Sequence, residues 1–341
     1  MNAETDEPTY PARRMGFGWI GAAKLAVTTL LLGILLTRTP LVEVVQRIAA
    51  VAPATLLACA GLLLLTFIAT GVRWRIILEQ LGANAKTTSA MRYTIIGGFF
   101  NQLLPSGMGG DVFRVWYARD FGLSTGRALA SVLIDRLLGV LAIVGVVAVG
   151  VPFVLWIKAF DQLLASAIFG VVLLAGGIGL FLSLDAFERP SEHLIQRFVP
   201  DRFRTNTLRF VAAAAWSARS SRRILLAWPY GTIAMAISVG IQLLVGLSVF
   251  LQFEGVGQSV ALITVLFLFA FVQLLSMLPI SFAGWGLREG AMVVAFQLVG
   301  VPAEDALGTS ILFGLCLLAS SLPGAVLWLS HGRRRVATHG R

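Results

Sequence analysis

The chain has 341 residues, 57% of them hydrophobic and only 13% charged. Soluble domains carry about 25% charge, and several runs here reach the ~20 apolar residues needed to cross a bilayer. Length and composition therefore specify a polytopic membrane protein. The net charge of +10 is carried almost wholly by arginines lying between hydrophobic spans. That pattern fits the positive-inside rule and attraction to anionic lipid, and it argues against nucleic acid as a partner. Cys59 and Cys316 both lie in apolar runs and suggest no disulfide framework. His193, His331 and His339 sit in polar loops or the tail, so neither a metal centre nor a cofactor is expected.

Residues 1–14 are polar and are expected to form a disordered cytoplasmic N-terminus, followed by one integral membrane domain (15–331) and a basic tail (332–341). Gly16–Leu36 reads as the first membrane helix, with Lys24 snorkelling from it. Arg38–Pro53 is an amphipathic connection. Ala54–Val72 is the second helix, closed by Arg73, Trp74 and Arg75 as an interfacial anchor. The basic Arg73–Arg92 connection is expected on the cytoplasmic side. Met91–Leu104 is apolar but short, either a tilted span or a re-entrant half-helix. Val112–Arg127 is polar and amphipathic, and Leu129–Val151 is a strong helix carrying Asp135 and Arg136 near its start.

Phe160–Leu184 is the next span. Asp185–Arg223 is the longest polar stretch, with eight arginines against four acidic residues; it is expected to be cytoplasmic, with Thr207–Arg223 lying on the membrane. Ile224–Phe250 and Val260–Leu278 are spans containing Gln242 and Gln273. Between them, Gln252–Ser259 has no positive residue and is expected outside. Gly290–Val301 is short and apolar, Ala306–Leu329 is the last span, and Arg333, Arg334 and Arg335 favour a cytoplasmic C-terminus. The fold expected is an all-α bundle of about 7–9 membrane segments. Charge counting calls for at least one of Met91–Leu104 and Gly290–Val301 to cross fully.

Two stretches interrupt this hydrocarbon-loving chain. Asn101–Arg114 reads N-Q-L-L-P-S-G-M-G-G-D-V-F-R, and Pro105, Gly107, Gly109 and Gly110 rule out a continuous helix there. Leu278–Glu289 reads L-P-I-S-F-A-G-W-G-L-R-E, with Pro279 and Gly284 as its breakers. Pro105, Gly110 and Arg114 share their spacing with Pro279, Gly284 and Arg288. Downstream, Gly122, Ala128, Leu129 and Ser131 match Gly300, Ala306, Leu307 and Thr309 at one constant offset. This reads as a diverged internal repeat, its halves centred near 91–151 and 260–329, with a broken or re-entrant segment in each. Charge counting leaves open whether the halves are parallel or inverted.

Asp111, Arg114, Asp135, Arg136, Arg288 and Glu289 lie within or beside apolar segments, where each charge costs about 2.5–3.5 kcal/mol on insertion scales. Asp135 and Arg136 are adjacent and point different ways around a helix. The cross-pairs open to them are Asp135 with Arg114 or Arg288, and Arg136 with Asp111 or Glu289. Such charges either lock the packing of two halves or present guanidinium forks to a phosphate, with glycine N–H groups approaching the same anion.

The motifs at Asn101–Arg114, Ser131–Gly139 (S-V-L-I-D-R-L-L-G) and Pro279–Gly290 (P-I-S-F-A-G-W-G-L-R-E-G) resemble the flippase-like integral membrane domain of lysylphosphatidylglycerol synthases. The resemblance spans nearly the whole chain. It implies a helical lipid-translocating or lipid-binding domain in the cytoplasmic membrane of a bacterium or archaeon, its two glycine-rich breaks facing an internal cavity. It carries over to Asn101, Pro105, Gly109, Gly110, Asp111, Arg114, Asp135, Arg136, Gly284, Arg288 and Glu289, which stand in the matching stretches. By their chemistry, Asn101, Gly109, Gly110, Arg114, Arg136 and Arg288 are expected to bind the headgroup, and Asp111, Asp135 and Glu289 to pair the charges or couple transport. The synthases continue into a soluble aminoacyl-transfer domain. This chain is expected to end without one, so lipid aminoacylation is not expected of it.

The leading expectation is a non-enzymatic transporter moving an anionic or polyprenyl-phosphate-linked lipid between leaflets, with a separate lipid-synthesis enzyme as partner. No phosphate-binding P-loop is present to couple it directly to ATP. Two further readings stay open. One is a membrane-embedded enzyme acting on a lipid phosphate, with Asp111 or Asp135 as base. The other is a non-transporting partner of a lipid or cell-envelope synthesis enzyme.

Overall fold

The computed structural model describes residues 41–104, 109–155, 175–188, 200–277 and 286–338, with isolated positions at 26, 29, 33, 172, 190–191 and 195–196. The N-terminal tail, most of Gly16–Leu36 with Lys24, most of Phe160–Leu184, and the breakers Pro105, Gly107, Pro279 and Gly284 lie outside the described residues. Among the described residues the fold is all-helical: α1 (Leu41–Ala50), α2 (Pro53–Gln80), α3 (Thr87–Leu103), α4 (Gly109–Arg119), α5 (Thr125–Leu155), α6 (Asp201–Leu226), α7 (Tyr230–Gly255), α8 (Leu262–Ser276), α9 (Leu287–Gln297) and α10 (Ala303–Thr338). Four of these, α2, α5, α7 and α10, are long and apolar enough to cross a membrane. Their large exposed apolar side chains, such as Leu57, Val149 and Val326, are suited to contact lipid. The chain is an integral, multi-pass membrane protein.

The internal repeat is structural. Each half is a long helix, two short ones and a second long one: α2–α3–α4–α5, then α7–α8–α9–α10. The joints match as well. Gly82 and Gly257 close the first helix of each half, and Gly122 and Gly300 precede the fourth, all with φ between 83° and 89°. The same carbonyls are capped: Ala83 N–H donates to Leu78 O and Gln258 N–H to Phe253 O, each at 2.9 Å. These are left-handed helix ends of the kind that favours glycine.

The short helices fold back as hairpins. At 1.5 Å per residue, α3 and α8 reach about 25 and 22 Å and α4 and α9 about 16 Å, all short of a hydrocarbon core of about 30 Å. In the first hairpin Tyr93 stacks on Tyr117 with ring centroids 4.0 Å apart, Phe100 stacks on Phe113 at 3.9 Å, and Asn101 Oδ1 accepts from Gly110 N–H at 2.8 Å. Residue numbers rise along one arm as they fall along the other, so the arms are antiparallel. Glycine makes this possible: a Cβ on Gly110 would lie 1.8 Å from the Gly97 carbonyl oxygen. In the second half α8 packs against α9 in the corresponding place.

The halves are inverted. Cys59 meets Ser248 and Arg73 meets Ser238, so α2 and α7, the first helices of their halves, run antiparallel. Helix α10 runs with α2: Cys316 approaches the Leu56 carbonyl near the start of α2, while Gly324 further on lies against Ile95 and Phe99 of α3, the arm packed on the later turns of α2 at Gly71. The base of the first hairpin carries Lys86, Arg92, Arg119 and Arg127, whereas the turns 256–261 and 298–302 at the base of the second carry no Lys or Arg. The fold thus has a basic and a non-basic end, and the C-terminal end of α10, with Arg333–Arg335, belongs to the basic one. This differs from the expectation that one short segment must cross. Both short segments are single arms of two-armed hairpins, and a hairpin returns the chain to the side it left. Val260–Leu278, expected to be a span, is one such arm.

Asp185–Arg223 contributes a turn of 3-10 helix (Leu184–Phe187) and α6, which extends beyond the expected amphipathic segment. Arg222 grips Asp185 at 2.6 Å and Arg219 grips Glu188 at 2.7 Å. The hydrogen-bonded Arg222 guanidinium holds the Asp185 carboxyl below its usual range.

Candidate functional site

A cavity of about 440 Å³ lies between the two hairpins. The first hairpin supplies Asn101, Asp111 and Arg114; the second supplies Gln273, Ser276 and Arg288. The long helices supply Arg73 from α2 and Asp135 and Arg136 from α5, and Leu63, Val245 and Phe269 form apolar wall. Inverted hairpins create such a site because their antiparallel arms, each shorter than the bilayer core, bring the C-terminal ends of α3 and α8 and the N-termini of α4 and α9 to its interior.

Asp135 is the hub. It is 2% exposed, and its Oδ1 accepts from Arg73 Nε at 2.7 Å while Oδ2 accepts from Arg114 Nη2 at 2.8 Å. Arg73 Nη1 goes on to donate to Ser238 Oγ of α7 at 2.8 Å, joining the two halves. Arg114 lies over the Trp74 ring, 4.5 Å from its centroid, and the indole N–H donates to Ser131 Oγ at 3.2 Å. The ring face and the carboxylate together fix the guanidinium plane.

Asp111 stands on the first turn of α4 and accepts from Arg136 Nε at 2.9 Å and Nη2 at 2.7 Å. The Arg136 side chain is 44% exposed, far more than Arg114 at 6%. Of the open cross-pairs, the structure forms Asp135 with Arg114 and Arg136 with Asp111. Arg288 and Glu289 instead pair with each other, and Arg288 also reaches Ser310 Oγ at 3.3 Å and lies over Phe313. Glu289 Oε2 accepts from Gly286 N–H at 2.6 Å, capping α9 from its own first turn.

The repeat register is also refined. Arg114 and Arg288 share spacing from a proline, yet Arg114 sits in the second turn of α4 and Arg288 in the first turn of α9. Helix position makes Asp111 and Glu289 the counterparts: each is the third residue of its helix, a place where a carboxylate is stabilised by the N-terminal dipole. Gly110, expected to offer its N–H to an anion, gives it to Asn101 and uses its small size to seat the arms together. Gly109 is buried against Leu104.

Arg73, expected as an interfacial anchor at a helix end, lies inside the helix instead: α2 continues for two further turns to Gln80 and Arg73 is buried. The signal was the apolar Ile76-Ile77-Leu78 after it: a cation followed by another apolar turn is inside a helix, not at its end. Thr94 is a further site residue, with no local signal in the sequence to mark it. It lines the cavity, is 3% exposed, and its hydroxyl has no hydrogen-bond partner; Asp111 Oδ1 and Arg114 Nε, beside the same space, likewise have none. Buried polar atoms left unmatched around one cavity suit a polar occupant or water. With Glu289 included, four guanidiniums meet three carboxylates here, an excess of one positive charge among the described residues.

Comparison with known proteins gives the same picture. The chain is 21% identical over 284 residues, 77% of its own length and 79% of the relative's, to a UPF0104 membrane protein of Methanothermobacter thermautotrophicus. Residues 21–324 match the family described as the lysylphosphatidylglycerol synthase TM region. Since that match takes in both hairpins and the cavity between them, the chain belongs to the lysylphosphatidylglycerol synthase TM region family.

Proposed function

We propose that this protein translocates a lipid with a phosphate-bearing headgroup, anionic or polyprenyl-phosphate-linked, between the leaflets of the cytoplasmic membrane. One observation carries the reading: a cationic cavity between two inverted hairpins, walled by hydrocarbon and edged by lipid-facing helices. The physical task is to replace the water around a phosphate while its tails stay in lipid. Arg136 and Arg288 face the headgroup, with the Asn101 and Thr94 side chains as further polar contacts. Arg73 and Arg114 supply field from behind, held by Asp135. Asp111 and Glu289 position their arginines and keep affinity low enough for release, while Gly109 and Gly110 set the distance between hairpin arms. The basic end is cytoplasmic by the positive-inside rule. A separate lipid-synthesis enzyme supplies the cargo.

The test is leaflet exchange of fluorescent lipids with phosphate headgroups in liposomes, comparing wild type with Arg136→Gln/Arg288→Gln. Fast exchange in wild type and loss in the variant supports translocation through this cavity. Equal exchange in both returns these arginines to packing. A membrane-embedded enzyme is the rival favoured by one feature: Asp111 Oδ1 has no hydrogen-bond partner, with Arg114 Nη1 the nearest cation at 3.8 Å, which leaves it open to act as a base. Loss of a defined lipid product in purified Asp111→Asn protein would select it.

A further inference from the structure

A second cavity, of about 320 Å³, opens where the start of α5, the end of α6 and the turn after α2 meet. Arg127 enters it from the first turn of α5 and Arg223 from the last turn of α6. Gln80 and Ser220 add a carboxamide and a hydroxyl, Trp216 forms a wall, and no Asp or Glu lines it. It shares no residue with the cavity between the hairpins.

The arginines of this region are sorted. Arg219 and Arg222 of α6 are bound to Glu188 and Asp185, while Arg127 and Arg223 make no ion pair among the described residues. Two guanidiniums facing one concave space repel each other, and an anion between them removes that cost. Their forks match phosphate oxygens in pairs, a hydroxyl and an amide add neutral donors, and an indole at a helix-bundle rim suits the headgroup level of a bilayer. Arg127 also lies close to the left-handed turn at Gly82, where a Cβ would sit 3.9 Å from its Nη1, so the end of α2 borders the guanidinium without neutralising it.

We propose that this is a second anion site, at the basic end of the fold, which takes a phosphate group and is independent of the hairpin cavity. The phosphate can come from an anionic phospholipid headgroup or from a soluble phosphate ester, and the experiment separates these sources.

Native mass spectrometry of the detergent-solubilised full chain is carried out with phosphatidylglycerol, phosphatidylcholine, or phosphatidylglycerol plus millimolar glycerol 3-phosphate. Wild type is expected to retain a phosphatidylglycerol that Arg127→Gln/Arg223→Gln loses, with at least about tenfold weaker binding, while Arg136→Gln/Arg288→Gln keeps it. Displacement by glycerol 3-phosphate assigns the site to soluble esters; its absence assigns it to lipid. Should the glutamine variant fail to fold, Arg127→Lys/Arg223→Lys keeps both charges and is expected to weaken binding through loss of the forks. Equal retention by wild type and whichever of the two Arg127/Arg223 double variants folds overturns the proposal, and so does equal retention of phosphatidylcholine, whose choline cation cancels the phosphate charge.

Discussion

Arg73 Nε and Asp135 Oδ1 lie 2.7 Å apart inside the bundle, and the same guanidinium reaches Ser238 across the boundary between the halves. One arginine therefore ties the acid that orients Arg114 to the first helix of the opposite repeat. Removal of that acid strands two buried cations. Asp135→Asn is expected to destabilise by about 3–5 kcal/mol, the cost of breaking a buried pair, and adding Arg73→Gln to it is expected to restore part of the loss. Thermal unfolding in lipid nanodiscs across this double-mutant cycle checks the coupling; additive losses would contradict it.

The exposed pair behaves differently. Arg136 is 44% exposed and paired with Asp111, and such a pair contributes about 0–1 kcal/mol to stability. Arg136→Gln is therefore expected to leave the unfolding midpoint nearly unchanged while cutting lipid exchange by about tenfold or more, one lost charged contact to the headgroup being worth at least 1.4 kcal/mol. A midpoint that falls as far as in Asp135→Asn would assign Arg136 to packing.

Glycines sort by what surrounds them. Gly110→Ala places a Cβ 1.8 Å from the Gly97 oxygen, forcing the hairpin arms apart at a cost of several kcal/mol. Gly97→Ala, whose Cβ would stand 3.1 Å from the Gly110 oxygen, is expected to cost less. Gly145→Ala and Gly240→Ala meet nothing within 4 Å and are expected to be neutral or to stabilise by up to about 1 kcal/mol. Expression level and unfolding midpoint of the four variants give the order.

The hairpins make a statement about sidedness. With Cys59 and Cys316 replaced by alanine, a single cysteine at Ser124 and one at Ser259, both exposed positions, are expected to react with a membrane-impermeant thiol reagent from opposite faces. A cysteine at Thr338 is expected to react from the Ser124 face. Labelling of Ser124 and Ser259 positions from one face would refute the inverted arrangement.

The membrane class, the helical fold and the repeat were legible because hydrophobicity and the Pro/Gly breaks are local properties of the chain. The pairs Asp135–Arg114 and Arg136–Asp111 were legible as alternatives, since burial demands partners but spacing cannot choose among them. Arg73 was not, because its role depends on α2 continuing past it and on a hydroxyl contributed by Ser238 far along the chain. The hairpins were legible only as one of two alternatives, re-entrant or spanning, for a related reason: a short apolar arm looks the same whether its neighbour continues across the membrane or turns back. The inversion required knowing that Cys59 faces Ser248, a tertiary fact.

The uneven charge of the two hairpin bases bears on biogenesis. Lys86, Arg92, Arg119 and Arg127, together with the arginines of α6 and Arg333–Arg335, give the insertion machinery two ends of unlike outline, so the nascent chain can tell up from down. None of these cations belongs to the cavity between the hairpins. Moving the four at the hairpin base to 256–261 is expected to weaken the orientation signal while leaving that interior intact.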